Sequence, residues 1–309
     1  MSHLPQTLRK LTLIALASTV LFTQTAWADT WKCEIPQVAG YDYVGCLSEG
    51  LAAVKKDRKY GFIDKTGKAV IPLQYDWIDS FNEGLARVKK GGKWGFVDKT
   101  GAVAIPLQYD IVDSFSEGLA SVEKDGKHGF VDKTGKVVVA LQYDYANSFH
   151  EGLARIKKDG KSGFIDNTGT VVIALQYDGV YDFNEGLAGA RKDDKWGFVN
   201  QVGNIVIPLQ YDWTYSFHEG LAIVKKDNKW GFIDKTGKVV IPLQYDNAWI
   251  FHEGLAKVKK DGKWGFIDKS GNIVIPLIYD TVHSFRKNLS EVTQGNEWFY
   301  INKQGQRVY

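Results

Sequence analysis

An all-β tandem-repeat fold is what this sequence predicts, from three observations: one unit recurring at a fixed interval, two-residue turn signals between short strand-like runs, and an aromatic- and glycine-rich composition. Tyr-Asp occurs at Tyr41, Tyr75, Tyr109, Tyr143, Tyr177, Tyr211, Tyr245 and Tyr279, every interval being 34 residues without an insertion. Gly61, Gly95, Gly129, Gly163, Gly197, Gly231 and Gly265 keep the same period, as do Phe62, Phe96, Phe130, Phe164, Phe198, Phe232, Phe266 and Tyr300. Fixed periods in this range mean a repeat architecture. Ten Trp, sixteen Phe, fifteen Tyr and 32 Gly stand against a single Met, a mix suited to strands and tight turns.

Within a unit, Leu85–Lys90 and Lys93–Asp98 flank Gly91-Gly92, and the equivalent pair is Asp125-Gly126, Asp159-Gly160 and Asp261-Gly262 elsewhere. Such pairs are the strongest short-range hairpin signal, because a type I′ turn needs φ > 0 twice. Pairing outward from the turn sets Lys89 opposite Trp94, Arg87 opposite Phe96, Val88 opposite Gly95 and Ala86 opposite Val97. One face is then small and aliphatic; the other lays cationic stems across aromatic rings. Asp98-Lys99-Thr100-Gly101 makes a second turn, and a third strand runs from Val103 to Leu107, where Pro106 suits the end of an edge strand. No window sustains a 3.6-residue apolar period with caps. About three strands per unit are expected.

The string KWGFID followed by K-S/T-G and VIP resembles the WG-repeat family of bacterial proteins, and the resemblance covers essentially all of residues 41 to 309. It implies a β-rich tandem repeat and little about activity. A 34-residue unit cannot bury both faces alone, so neighbours must stack. An open β-superhelix or solenoid is expected, with a closed propeller as the alternative. Eight repeats begin at residues 41, 75, 109, 143, 177, 211, 245 and 279, preceded by an irregular cap over residues 29–40. Trp298-Phe299-Tyr300 departs from Trp-Gly-Phe and should finish the stack with larger side chains.

Residues 1–28 read as a secretory signal: Arg9 and Lys10, an apolar run from Leu11 to Phe22, and the small-x-small site Ala26-Trp27-Ala28. The run is shorter than the ~20 residues a spanning helix needs. Export to the periplasm or the extracellular space is expected, as a soluble chain without a membrane span. In an oxidising compartment the only two cysteines, Cys33 and Cys46, form one disulfide, worth about 3 kcal/mol locally. Lys plus Arg (39) nearly balances Asp plus Glu (36), which gives no sign of a nucleic-acid partner.

Internal repetition separates folding from recognition without any relatives. Columns that recur from copy to copy serve folding, among them Glu49, Glu83, Glu117, Glu151, Glu185, Glu219 and Glu253, in seven of the eight copies, and the Asp after each Tyr. Both are assigned to turns and inter-unit hydrogen bonds. The paired lysines, such as Lys89-Lys90, read as a charge-paired edge that also blocks aggregation. The window after each Tyr-Asp varies yet stays aromatic, which marks Trp77, Tyr145, Tyr181, Trp213, Tyr215 and Trp249 as candidate ligand-binding residues. His218 and His252, at the variable site before the Glu, join them. No third ligand accompanies these histidines, so no metal site is expected. Copies three and four replace the signature Trp by His128 and Ser162 and the Pro by Ala140 and Ala174, which leaves a softer segment or an altered binding patch equally open. There is no phosphate-cradling loop, nucleophile elbow or unique catalytic set, so neither enzyme activity nor a cofactor is expected. The functional expectation is a non-catalytic scaffold that binds proteins or cell-envelope components, with a glycan-binding module as the alternative.

Overall fold

The hairpin around Gly91-Gly92 forms in the register that its two-residue turn dictates. In a computed structural model describing residues 33–308, Lys89 pairs with Trp94, Arg87 with Phe96, Val88 with Gly95 and Ala86 with Val97. Both turn residues have positive φ, and so do the equivalent Asp57-Arg58, Asp193-Asp194 and Asp227-Asn228, where no glycine eases the strain. The chain folds as tandem antiparallel sheets. The first comprises β1 (Tyr43–Ser48), β2 (Leu51–Lys56), β3 (Lys59–Asp64) and β4 (Ala69–Tyr75); the second comprises β5 (Trp77–Ile78), β6 (Leu85–Lys90), β7 (Lys93–Asp98) and β8 (Val103–Tyr109), each joined in sequence order. Among the described residues there are seven four-stranded sheets and a last one of three strands.

Two details differ from the sequence reading. In every unit after the first, whose edge strand is the six-residue β1, the variable window itself adds a further edge strand only two residues long: Trp77 pairs with Lys89 and Ile78 with Val88. Pro106 lies inside β8, not at its end, where the register slips between the Trp94–Tyr109 and Phe96–Ile105 pairs. A proline suits that slip on an edge strand because it has no N–H to offer the ladder. The signature glycine explains the close approach. A Cβ on Gly95 would stand 2.5 Å from the Ile105 carbonyl oxygen, so any side chain would push β8 away. Ala140 and Ala174 sit in full seven-residue strands with the same slip, so replacing proline does not shorten the strand.

The hydrophobic core lies between sheets. Phe96, Ile105 and Tyr109 of the second sheet pack with Val112, Phe115, Ala120, Val122 and Val131 of the third, and the pattern repeats at each junction. At every one of the seven junctions the Phe of the Trp-Gly-Phe string meets a Phe nineteen residues on, with centroids 4.7–5.0 Å apart. These rings are almost wholly buried. Burying one contributes about 1.5–3 kcal/mol, and the tilted pairing adds roughly another 1.

Each junction is also stapled by the invariant acids. Asp110 accepts from Lys93 Nζ of the sheet before it and from the Asp125 N–H in the hairpin turn of its own unit. Glu83 of one unit accepts from the Gly118 N–H of the next and pairs with Lys133 there at 3.1 Å. The second lysine of a pair also reaches across a junction from the second unit on, as Lys90 does to Gln74 Oε1 at 3.0 Å and Lys158 to Gln142 Oε1 at 3.2 Å. The assignment of these columns to turns and inter-unit bonds therefore holds. Glu83-Gly84 forms its own tight turn, both residues having positive φ, and this turn presents the carboxylate forward.

The free face of the first sheet, formed by Ala52, Val54 and Ile63, is covered by Val38 and Tyr41 together with Val44 and Leu47 of β1. Among the described residues each inter-sheet core cluster is shared by adjacent units, as in a solenoid-like stack of nearest neighbours. At the far end Phe299 stands where the other sheets carry glycine, and that sheet lacks a fourth strand, with the Arg307 guanidinium 4.3 Å over the Phe299 ring instead. Cys33 and Cys46 are both disulfide-bonded. The candidate signal, residues 1–28, lies outside the described residues. Among the latter no helix is long and apolar enough to cross a membrane.

Candidate ligand-binding edge

The two-residue strands govern exposure along one edge of the stack. Strand alternation points the middle residue of each variable window inward, so Ile78, Val112, Ala146, Val180, Thr214, Ala248 and Val282 are all buried. The first and third residues are left to the rim. Trp77 is 49% exposed and Trp249 46%, while Tyr145, Trp213 and Tyr215 are also exposed and Tyr181 is half-buried. The candidate residues therefore share one edge, though not one cluster.

Where they meet, they do so through the signature Trp column. Tyr60 packs on Trp77 of the next unit with centroids 5.6 Å apart, and His128 packs on Tyr145 in the same way at 5.6 Å. The fifth and sixth units hold a continuous run of rings. Tyr181 stacks on Trp196 (4.6 Å, planes 10° apart), Trp196 leans on Trp213 at 5.8 Å, and Trp213 meets Tyr215 at 6.4 Å. The stack exists because Gly189 leaves room, since a Cβ there would come within 2.8 Å of the Tyr181 ring. Burial pushes the Tyr181 hydroxyl above its ordinary pKa. Cationic stems lie over the aromatic column as the register implies: Lys89 Nζ is 5.4 Å from the Trp94 ring and Lys225 Nζ 5.6 Å from Trp230.

His218 and His252 sit in short bridges with Leu221 and Leu255 just before the Glu-Gly turns; His218 is half-buried and His252 exposed. Among the described residues no group of three or more His, Cys, Asp or Glu is placed to hold a metal. Part of this column is structural, because Asn82 Nδ2 and Ser116 Oγ donate to the Phe115 and Phe149 carbonyls of the following units.

A further variable column, which sequence reasoning missed, runs through Ala53, Arg87, Ser121, Arg155, Gly189, Ile223, Lys257 and Glu291. Its side chains reach across junctions to the two-residue strands. Arg87 donates to the Val112 carbonyl and Arg155 to that of Val180, at 2.8 and 2.9 Å, and Lys257 to that of Val282 at 3.4 Å. Arg87 also pairs with Asp79 and lies 4.0 Å from Asp113, whose carboxyl is raised by burial against the pull of Arg87 and His128. The signal was present in sequence: this position changes freely between the near-constant Ala86 and Val88 columns.

Grooves open on this edge between units. One of about 380 Å³ lies between the first two sheets beside Tyr60 and Trp77. A second, of about 210 Å³, lies beside Tyr145, Arg155 and Ser162, where the small serine replaces the signature Trp. A third, of about 680 Å³, lies between the last two, beside Trp249, Lys257 and Tyr300.

Comparisons with known proteins agree with this architecture. Among solved structures, a eukaryotic initiation factor is similar over 89% of both chains at 10% identity with a TM-score of 0.53, a likeness of fold alone. Hsv2p of Kluyveromyces lactis aligns over 74% of this chain and 96% of its own at 8% identity, with a TM-score of 0.38, too loose to carry weight. No curated protein matches this sequence. The WG containing repeat, by contrast, matches in eight consecutive segments between residues 39 and 298, and the chain accordingly belongs to the WG containing repeat family.

Proposed function

We propose that this protein is an exported, non-catalytic scaffold that recruits proteins or cell-envelope components along its variable edge. One observation carries the reading. The invariant columns are consumed in junctions, while the exposed positions of the two-residue strands differ from unit to unit and concentrate aromatic side chains. Rigid aromatic anchors on a scaffold held in place by neighbouring sheets suit partner recognition. The disulfide-bonded cysteines agree with an oxidising compartment. The test is capture from the parent cell envelope by the full chain and by a Trp77→Ala/Trp213→Ala/Trp249→Ala variant. Loss of capture with an unchanged far-ultraviolet spectrum supports the edge, and undiminished capture removes it.

A glycan is the second reading, favoured by the Tyr181–Trp196–Trp213–Tyr215 run of rings, since exposed aromatic faces stack on sugar rings. Retention on purified peptidoglycan or envelope polysaccharide supports it, and no retention on any of these polymers rules it out.

A further inference from the structure

At the last junction the edge carries a cation without a counter-charge. Where the missed column is cationic in other units, a carboxylate answers it: Arg87 has Asp79 and Asp113, and Arg155 has Asp182 at 3.6 Å. For Lys257 the three corresponding positions are Trp249, His283 and Ser284. None can neutralise it. The ammonium instead lies 4.6 Å over the Trp249 ring and 5.8 Å from that of Trp264, with the Val282 carbonyl as its hydrogen-bond acceptor. Burial alone lowers its pKa, with no acidic neighbour to offset the effect. The ammonium borders the groove of about 680 Å³, a size that suits a small ligand. Arg286 and Lys287 add two further cations to the lining, and Glu291 is the one carboxylate in it, with its Oε2 3.5 Å from the Tyr300 hydroxyl.

We infer that this groove binds a carboxylate-bearing sugar ring, a uronic acid, with its carboxylate on Lys257 and its ring against the exposed indole of Trp249. The inference rests on the reading of the variable edge as a recruitment surface and narrows it to one junction. Lys257 supplies a charge-assisted hydrogen bond in a partly desolvated setting, the kind that discriminates strongly between an acid and its neutral ester. Glu291 offers an acceptor for sugar hydroxyls within the same lining.

The experiment titrates the full chain with tetragalacturonate, with its methyl ester and with inorganic phosphate, following tryptophan fluorescence. The wild type should bind the acid about tenfold more tightly than the ester. Lys257→Met should erase that preference, and so should His283→Asp, which installs the missing carboxylate without truncating the lysine; Arg87→Met should keep it. Equal affinity for acid and ester, binding of neither, tighter binding of phosphate, or an unchanged preference in His283→Asp would each overturn the inference. Envelope capture by the Lys257→Met protein separates the two levels. If capture persists while tetragalacturonate fails to bind the wild type, the uronate assignment falls and the recruiting edge stands; if tetragalacturonate binds but Trp77 and Trp213 prove dispensable for capture, the broader reading falls instead.

Discussion

Phe96 and Phe115 belong to different units, yet their rings meet edge to face with centroids 4.9 Å apart. Both are almost fully buried, so neither unit owns its core. Phe96→Ala should destabilise the chain by about 3–5 kcal/mol. The damage should be local, because stacked repeats contact only their neighbours. Hydrogen exchange followed by mass spectrometry should show faster exchange in the second and third sheets and little change beyond the fifth. Uniform loosening of the whole chain would contradict a nearest-neighbour stack.

Gly95 tests a different link, the close approach of β7 and β8. Gly95→Ala brings a methyl group to within 2.5 Å of the Ile105 carbonyl oxygen, a backbone atom that cannot swing aside. A loss of about 1–3 kcal/mol in urea unfolding is expected. Gly84→Ala offers a contrast, since its Cβ would meet nothing within 4 Å and its cost would come from the positive φ of 87° alone.

Arg58 and Asp194 hold the second place in their hairpin turns at φ of 62° and 60°, a left-handed region that glycine enters freely, that asparagine and aspartate tolerate and that disfavours arginine. Arg58→Gly should raise the urea midpoint, with a gain of roughly 0.5–1 kcal/mol once the extra freedom of glycine in the unfolded chain is counted, whereas Asp194→Gly should gain less. The slope of the unfolding curve should stay the same.

Acid should weaken the stack through its staples. A hydrogen bond from Lys93 and then one from the Asp125 N–H hold the Asp110 carboxyl below its ordinary range. Asp76 and Asp144 are lowered in the same way by Lys59 and Lys127, and Glu49 and Glu253 by Lys99 and Lys303. A pKa lower in the folded than in the unfolded state contributes stability that is fully present above the unfolded value and is lost as pH falls through the folded one. Urea midpoints should therefore hold level from neutrality to about pH 5 and fall below about pH 4. High salt should shift this fall only slightly, because backbone N–H donors share the work with lysine.

Much of this architecture was legible because it depends on local chemistry. A two-residue turn admits one register, so the Lys89–Trp94 and Arg87–Phe96 pairs could be written down from the sequence. The roles of Glu83 and Asp110 followed from their repetition, although their partners did not, since these lie in neighbouring sheets. The Trp77–Ile78 strand was illegible for the opposite reason. Two residues carry no period, and β6 alone makes them a strand. The edge itself could be guessed from aromatic variability; the column of Arg87, Arg155 and Lys257 showed its variability in the sequence but not its targets, which are carbonyls one unit further on. Pro106 was misplaced because the strand end seemed its natural position, whereas Gly95 opposite creates a second one in mid-strand.

The forward-reaching glutamates have an evolutionary corollary. A copied internal module dropped between two others would find its staple donors waiting ahead and its own turn awaited behind, so the constant columns would ask for no repair. Duplication can thus lengthen this protein in steps of 34 residues. Each step would lay down one more blank rim position, free to acquire a specificity of its own while the older ones keep theirs.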